Sequence, residues 1–414
     1  MRNILRLAAL NLTRYKRRTL LTTALIALGV TAVLLFIAVS GSFKAMMIGQ
    51  ITDSVMGHLQ IHRKGYVASI DSLPLNRNLN DRQVAKVLEV LGKEPAIASY
   101  SLRIKLGAMF SNFTETTNIR LNAVVPADEF KTMPLLASRV QQQTGPEALS
   151  RGGILVPELL AKGMQVKTGD TVVLVATNRD GSVNGQPFVV QGVLEGISGP
   201  GGRDGAIHLE DAKSLLRIEG VEVSEIAVRL KNIAELPQVA ARLEQEMGGM
   251  TNREGQPVFE LHTWEKLSPF FNIAKMIDLM TLSIKVMLVA IVLVSIMNVM
   301  IMAVYERLGE IGTMAAIGTT PGRILALFVT EGFLLGVVGT AIGTVVSLLA
   351  ILGLNSAGIT FNFGTQTGLL LAPSISPREI LPIVLIVIAM AVLASLQPAF
   401  KAAKMDPIAA LRHI

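Results

Sequence analysis

The sequence predicts an α-helical membrane protein with four transmembrane helices and a large α+β extracytoplasmic domain between helices 1 and 2. Three observations lead there. Charge is absent over Thr19 to Phe43, Val286 to Tyr305 and Ile380 to Phe400, and again over the 46 residues from Gly332 to Pro377. A bilayer core of roughly 30 Å needs about 20 apolar helical residues, so each run supplies one span. Lys44 to Asn272 has ordinary soluble composition, with 24 Lys+Arg against 25 Asp+Glu, which leaves 14 bases facing 6 acids elsewhere. Those bases gather before the first span, around Arg307 and Arg323, and after the fourth span. With four spans all three groups fall on one side, which the positive-inside rule makes cytoplasmic. The formal net charge of +7 is therefore a topology signal; no basic stripe interleaved with aromatics points to nucleic acid.

The expected order begins with a cytoplasmic interfacial helix at 1–18, span 1 at 19–43 and a periplasmic α+β domain at 44–263. A stalk plus span 2 follows at 264–304, then a cytoplasmic helix at 305–323 and span 3 at 324–354. A periplasmic loop at 355–378, span 4 at 379–400 and a cytoplasmic tail at 401–414 complete it. In the first helix, Leu5, Ala8, Ala9 and Leu12 share a face and Arg2 and Arg6 lie off it. The soluble block reads as strands interleaved with short helices: a strand near Leu59–Ile61, a helix over 81–91 and several short strands in 101–125. Further strands fall at 154–156, 171–176, 188–194, 225–230 and 258–261, with helices at 158–166, 210–216 and 234–247. From Trp264, capped by Thr263, one helix is expected to run to Tyr305, interrupted only by Ser268-Pro269. At 1.5 Å per residue it is roughly 60 Å long, so its first half stands outside the bilayer as a rod.

The catalytic inventory is thin. No G-x-x-x-x-G-K-[ST] occurs, and Gly196 to Gly205 lacks the lysine and the strand-to-helix frame of a phosphate loop. G-x-S-x-G, H-E-x-x-H and supported S-x-x-K arrangements are missing, so no catalytic residue is expected. His58 and His62 flank one strand without enough neighbouring ligands for a metal, and cysteine is absent. Neither cofactor nor metal is expected on this chain.

Two patterns remain. Gly332, Gly336, Gly339 and Gly343 fall within about 60° on a helical wheel, a small-residue stripe that lets another helix approach closely. Glu331, beside them, is the acid well inside a span; headgroups, Arg323 or a neighbouring helix are its expected partners. The second pattern is YERLGEIGTMAAIGTTPGRI, Tyr305 to Ile324. Glu306, Arg307 and Glu310 fall on one side of a short helix, with Arg307 and Glu310 spaced i,i+3 to pair. Ile311, Met314, Ala315 and Gly318 form an apolar face suited to a protein groove. The helix ends at Gly318, and the next starts at Pro321 behind a Thr320 cap.

Tyr305-Glu306-Arg307, Glu310-Ile311-Gly312 and Ala316-Ile317-Gly318 resemble the cytoplasmic motif of FtsX-like permeases. These are the membrane subunits of MacB-type ABC transporters, including the lipoprotein-releasing permeases. Glu331-Gly332, the tail from Pro398-Ala399 through Asp406-Pro407-Ile408 to Leu411-Arg412, and Gly57-His58-Leu59-Gln60-Ile61 are similar to that family too. The resemblance implies a non-catalytic permease, paired with a second copy or paralogue, which docks an ABC ATPase subunit through 306–318. ATP and Mg would be bound by that ATPase. It further implies an inner-membrane protein with cytoplasmic termini, surrounded by lipid and served by a periplasmic adaptor or chaperone. Extraction of a lipoprotein or other hydrophobic cargo is the leading expectation, the chain's length matching the stand-alone layout. The alternatives are efflux of drugs or glycolipids, and a mechanotransmission scaffold controlling a periplasmic peptidoglycan hydrolase.

Overall fold

The computed structural model describes residues 2–141, 145–195, 204–363 and 366–404. The chain opens with helices α1 (Arg2–Arg14) and α2 (Lys16–Ile51), then strand β1 (Leu59–Arg63), α3 (Asp81–Lys93), β2 (Ile97–Ser111) and β3 (Thr116–Val124). It continues through α4 (Pro126–Thr132), α5 (Pro134–Ala137), β4 (Gly153–Pro157), α6 (Glu158–Gly163), β5 (Thr171–Thr177), β6 (Val183–Leu194), β7 (Asp204–His208) and α7 (Leu209–Leu216). Next come β8 (Glu225–Leu230), α8 (Leu236–Gly248), β9 (Phe259–Thr263), α9 (Trp264–Leu267), α10 (Phe270–Glu306) and α11 (Leu308–Ala316). The last elements are α12 (Pro321–Ala357), β10 (Thr360–Phe363), β11 (Gln366–Leu370) and α13 (Pro377–Ala403). Two compact units result, one of Met1–Ala45, Ala274–Phe363 and Thr367–Ile414, the other Met46–Ile273 with Gly364–Gln366.

In the helical unit, four helices among the described residues are long and apolar enough to cross a membrane: α2 with its continuation to Met56, α10, α12 and α13. Their core draws on all four: Ile26, Val30, Val33 and Leu34 on α2, Val292, Ile296 and Met300 on α10, Phe328 and Leu335 on α12, and Val387 and Ala391 on α13. Beyond the apolar stretch α2 and α10 are paired. Ser40 Oγ meets Thr281 Oγ1 at 2.7 Å, and Lys44 Nζ holds the Asp278 carboxylate at 2.6 and 2.7 Å. The rod is thus double. The sequence pointed to one rod because Ser40, Ser42 and Lys44 end the apolar run of α2 without ending the helix. The predicted rod is also broken where Ser268-Pro269 parts α9 from α10, since proline lacks the N–H and disfavours helix before it. The 37 residues of α10 still span roughly 55 Å.

The glycine stripe of α12 serves two neighbours. A Cβ on Gly332 or Gly336 would fall within 2.6 Å of Ser395 and 2.8 Å of Ala391 on α13. On Gly339 or Gly343 it would fall within 2.6 Å of Ile26 and of the Ala27 carbonyl on α2. Any larger residue pushes one helix off its partner.

The second unit is built on a sheet ordered β3-β7-β4-β6-β5-β2-β8-β1-β9, in which β3 also pairs with β2. That pairing closes six strands into a ring. Alternate residues fill its interior: Ile104, Leu106, Ala108 and Phe110 on β2, Ile119, Leu121 and Ala123 on β3, Val172, Leu174 and Ala176 on β5. The several short strands expected in 101–125 are one long hairpin, because the alternation is unbroken until Asn112. There the side-chain oxygen accepts from the N–H groups of Thr114 and Glu115 and turns the chain. Strand β7 was not expected; it begins in the glycine-rich stretch, whose residues 196–203 lie outside the described ones. Strands β8, β1 and β9 extend from the first half of β2, and α8 packs on β9 with Val239, Leu243 and Met247 inward. His62, on β1, is fully buried, stacked on Tyr66 and edge-on to His262. No group of three metal-ligating side chains exists among the described residues.

Within this unit three arginines hold the last turns of α2 and the π-helical turn Thr52–Met56 that follows. Arg139 bonds Gln50, Arg229 pairs with Asp53, and Arg103 Nη1 donates to the Val55 carbonyl at 2.7 Å. Arg103 is 1% exposed; its Nε and Nη2 grip Glu129 at 3.0 and 2.6 Å, and its Nη1 reaches Glu225 at 2.9 Å. Burial disfavours its charge, yet Glu129 and Glu225 outweigh that and raise its pKa. Burial likewise pushes Glu225 up, but Lys105, His62 and Arg103 hold it well below its ordinary 4.5. Gly57, at φ +72°, then turns the chain against the backbone of Val228, where a Cβ would meet the carbonyl at 2.9 Å.

Removing Arg103 strands the buried carboxylate of Glu129 and takes one cation from Glu225, so Arg103→Ala should cost about 3–5 kcal/mol. The readout is a lowered thermal midpoint of the purified chain with faster proteolysis within 46–273. Because the folded pKa of Glu225 is depressed, its stabilisation is complete above pH 4.5 and fades as pH falls through the folded value. Thermal midpoints measured across that acid range should decline, and more steeply in wild type than in Glu225→Gln.

Candidate functional site at the basic end of the helical unit

The stretch Tyr305 to Ile324 folds as an elbow rather than as one helix. Glu306 is the last residue of α10, exposed, and Arg307 breaks the helix at φ −115°, ψ 20°. Leu308–Ala316 then forms α11, ended by Gly318 at φ +90°, a conformation that suits glycine. Pro321 starts α12 behind Thr320, as its sequence suggests.

Arg307 is 3% exposed and sits at the centre of the elbow. Its Nε donates to Glu310 Oε2 at 2.9 Å, the expected i,i+3 pair, and its Nη1 donates to both oxygens of Glu331 at 2.9 and 3.2 Å. The guanidinium carbon lies 5.4 Å from the centre of the Tyr15 ring and 5.5 Å from that of Phe328. Burial works against its charge, but Glu331 first and Glu310 after it more than compensate and raise its pKa. Glu310 is pushed up by burial and held down by more: the hydroxyl of Tyr15, donating at 2.7 Å, and Arg307 keep it ionised, and its pKa is lowered. The phenol, tied to that carboxylate, has its own pKa raised.

Glu331 is fully buried, and of its three expected partners, headgroups, Arg323 and a neighbouring helix, the structure supplies the last. Arg323 is exposed; eight residues along a helix turn a side chain by about 80°, off the Glu331 face. Besides Arg307, the acid accepts from Asn11 Nδ2 at 2.6 Å and lies 3.9 Å from Arg18 Nη2. Helix α1 therefore faces α12 with Ala8 and Asn11, while Leu5, Leu7 and Leu10 stay exposed; of the Leu5–Ala8–Ala9–Leu12 line read in the sequence, Ala8 and Leu12 pack inward and Leu5 and Ala9 do not. Asn11, Tyr15 and Arg18 are members that the sequence reading missed. A signal existed: an acid inside a span demands a cation, and four crowd between Arg14 and Arg18.

The apolar face of α11 is turned inward. Ile311 is 1% exposed and Gly312 is buried; Met314 and Ala315 pack, half-buried, against the core that holds Ile311, Ile324 and Phe328. Part of the face expected to dock, Ile311 with the half-buried Met314 and Ala315, thus packs against the core of its own bundle. The free surface is the opposite one, Thr313, Ala316, Gly318 and above all Ile317, 78% exposed. Glu310 and Glu331 are each committed to a cation, so the arrangement is a structural tie. It ties four segments, α1, α2, the end of α10 and α12, to one short helix.

Arg307→Met should lower the thermal midpoint of the detergent-purified chain by the equivalent of about 3–5 kcal/mol, since Glu331 keeps only weaker partners. The double substitution with Glu331→Met should recover part of that loss, and Arg307→Lys should fall between, as an ammonium cannot bridge both acids in a planar fork.

Two family models cover this chain. Residues 19–246 match the MacB-like periplasmic core domain, and residues 282–407 match the FtsX-like permease C-terminal region. The tail motif from Asp406 to Arg412 lies outside the described residues. The lipoprotein-releasing system transmembrane protein LolC of Haemophilus influenzae is 24% identical over 375 residues, 88% of this chain and 89% of that protein. The protein of the same name from Neisseria meningitidis serogroup B is 23% identical over 412 residues, 95% of this chain and 94% of its own. The macrolide export ATP-binding/permease protein MacB of Nitrobacter winogradskyi is 26% identical over 414 residues, 95% of this chain but 58% of that longer protein. The chain thus belongs to the MacB/FtsX-type ABC permeases, as a multi-pass membrane subunit with a periplasmic core domain after its first span.

Proposed function

We propose that this chain is the non-catalytic permease of an ABC transporter whose ATPase is a separate subunit, docked on the exposed edge of α11. The observation that carries the proposal is the elbow: one buried guanidinium at the end of α10 joins α11 to α12, and Glu331 in turn faces Arg18 at the start of α2. Displacing α11 must then either break two ion pairs or move those helices, and moving them is the cheaper course. Helices α2 and α10 run across the boundary between the two units, so their motion is passed along the chain to the periplasmic core domain. ATP and Mg belong to the partner subunit, and the basic end with both termini faces the cytoplasm. A second copy or a paralogue completes the transporter.

For the cargo we favour a lipoprotein taken from the outer leaflet. Support comes from the end-to-end match with LolC proteins, which covers nearly their full length. Macrolide export, named for the MacB relative, is the competing reading, as that match also spans nearly all of this chain.

Ile317→Glu should leave the thermal midpoint unchanged while weakening retention of the ABC ATPase that co-purifies from the native host roughly thirtyfold, the effect of losing one central interface anchor. Undiminished retention would refute docking at this edge. With the complex in nanodiscs, a triacylated lipopeptide should raise ATP turnover and a macrolide should not; the reverse would reassign the cargo.

A further inference from the structure

Beside the elbow, a cleft of about 770 Å³ opens between the α1–α2 corner and the last turns of α10. Its lining is sharply divided. Arg14, Lys16, Arg17 and Arg18 form one wall; Leu21, Val299 and Met302 form the apolar part. Glu306 is the acid among the lining residues, against four cations. Arg14 is drawn to Glu310 at 3.7 Å, while Lys16 and Arg17 have no ion-pair partner among the described residues. Arg18 is the telling member. Its Nη2 faces Glu331 at 3.9 Å, but its Nη1 is buried without a hydrogen-bond partner. A buried guanidinium N–H left without a partner is costly, so a turn of this side chain toward an anion in the cleft that it lines is favoured.

We infer that this cleft binds the phosphate of an anionic lipid in the leaflet at the basic end of the helical unit. The cation wall suits the phosphodiester. The apolar wall continues the membrane-facing surface of α2 and α10, where Leu21 and Met302 are 64% and 61% exposed, and suits the start of the acyl chains. Basic pockets between transmembrane helices hold anionic headgroups in this manner. A free phosphate would satisfy Arg18 but leave most of the volume and all of the apolar wall unused. Through Arg18 the bound phosphate touches the group that faces Glu331, so lipid composition at this leaflet reaches the elbow.

The full-length chain, purified in a neutral detergent, is titrated with phosphatidylglycerol or phosphatidylcholine, and retained lipid is counted by native mass spectrometry. The expected result is one saturable phosphatidylglycerol per chain and no comparable phosphatidylcholine. Lys16→Gln with Arg17→Gln should weaken it roughly thirtyfold, at the usual worth of two cations near an anionic membrane. Arg323→Gln with Lys401→Gln, removing two cations outside the cleft, should change it less than twofold. Equal retention of the two lipids overturns the inference, as expected if a second copy of the chain fills the cleft. An equal loss in both double variants overturns it in favour of diffuse charge. Displacement by excess inorganic phosphate, with soluble phosphate protecting the chain thermally as well as the lipid does, overturns it in favour of a free anion.

Discussion

A charged pair buried in a helical membrane bundle dominates everything around it. Arg307 and Glu331 are 3% and 0% exposed, and either one alone would be prohibitive in that setting. Their union obliges the chain to bring the end of α10 against the first half of α12, which sets the break at Arg307 and the direction of α11. The surplus hydrogen-bonding capacity on both sides then recruits Glu310, Asn11 and Tyr15. A short helix that leaves the bilayer for nine residues becomes a rigid part of the bundle.

The same device recurs in the other unit, built from different residues. Arg103 is buried with two carboxylates and a backbone carbonyl, and it secures the turn into which α2 runs. Helices α2 and α10 are both far longer than a bilayer needs and are cross-linked by Ser40–Thr281 and Lys44–Asp278. Guanidinium suits both ends for one reason: its planar fork meets two acids at once, where an ammonium is a single point of charge.

The glycine stripe has the complementary role of setting distances. Gly332 and Gly336 admit α13, Gly339 and Gly343 admit α2, so α12 is the common neighbour of both. Small residues carry no directional bond, and the stripe alone would let helices slide along each other; the polar cluster at the Glu331 end supplies the register.

What the linear chain determined by itself was set by local chemistry. Charge-free runs, basic clusters and turn residues were enough for four spans, the ectodomain between the first two, the Arg307–Glu310 pair, and the stop and restart at Gly318 and Pro321. What only the tertiary structure decided concerns partners distant along the chain. Glu331 pairs with Asn11, 320 residues away, not with Arg323 on its own helix. The apolar face of α11 is real, but periodicity defines a face only relative to the helix's own axis; packing against Ile324 and Phe328 turned it inward and left Ile317 outside. The closing of the strand ring depended on β7, five residues too short and glycine-preceded to register as a strand until β3 and β4 paired with it. Local pattern fixes which elements form. Burial of charge and apolar surface across the whole chain decides which way they face.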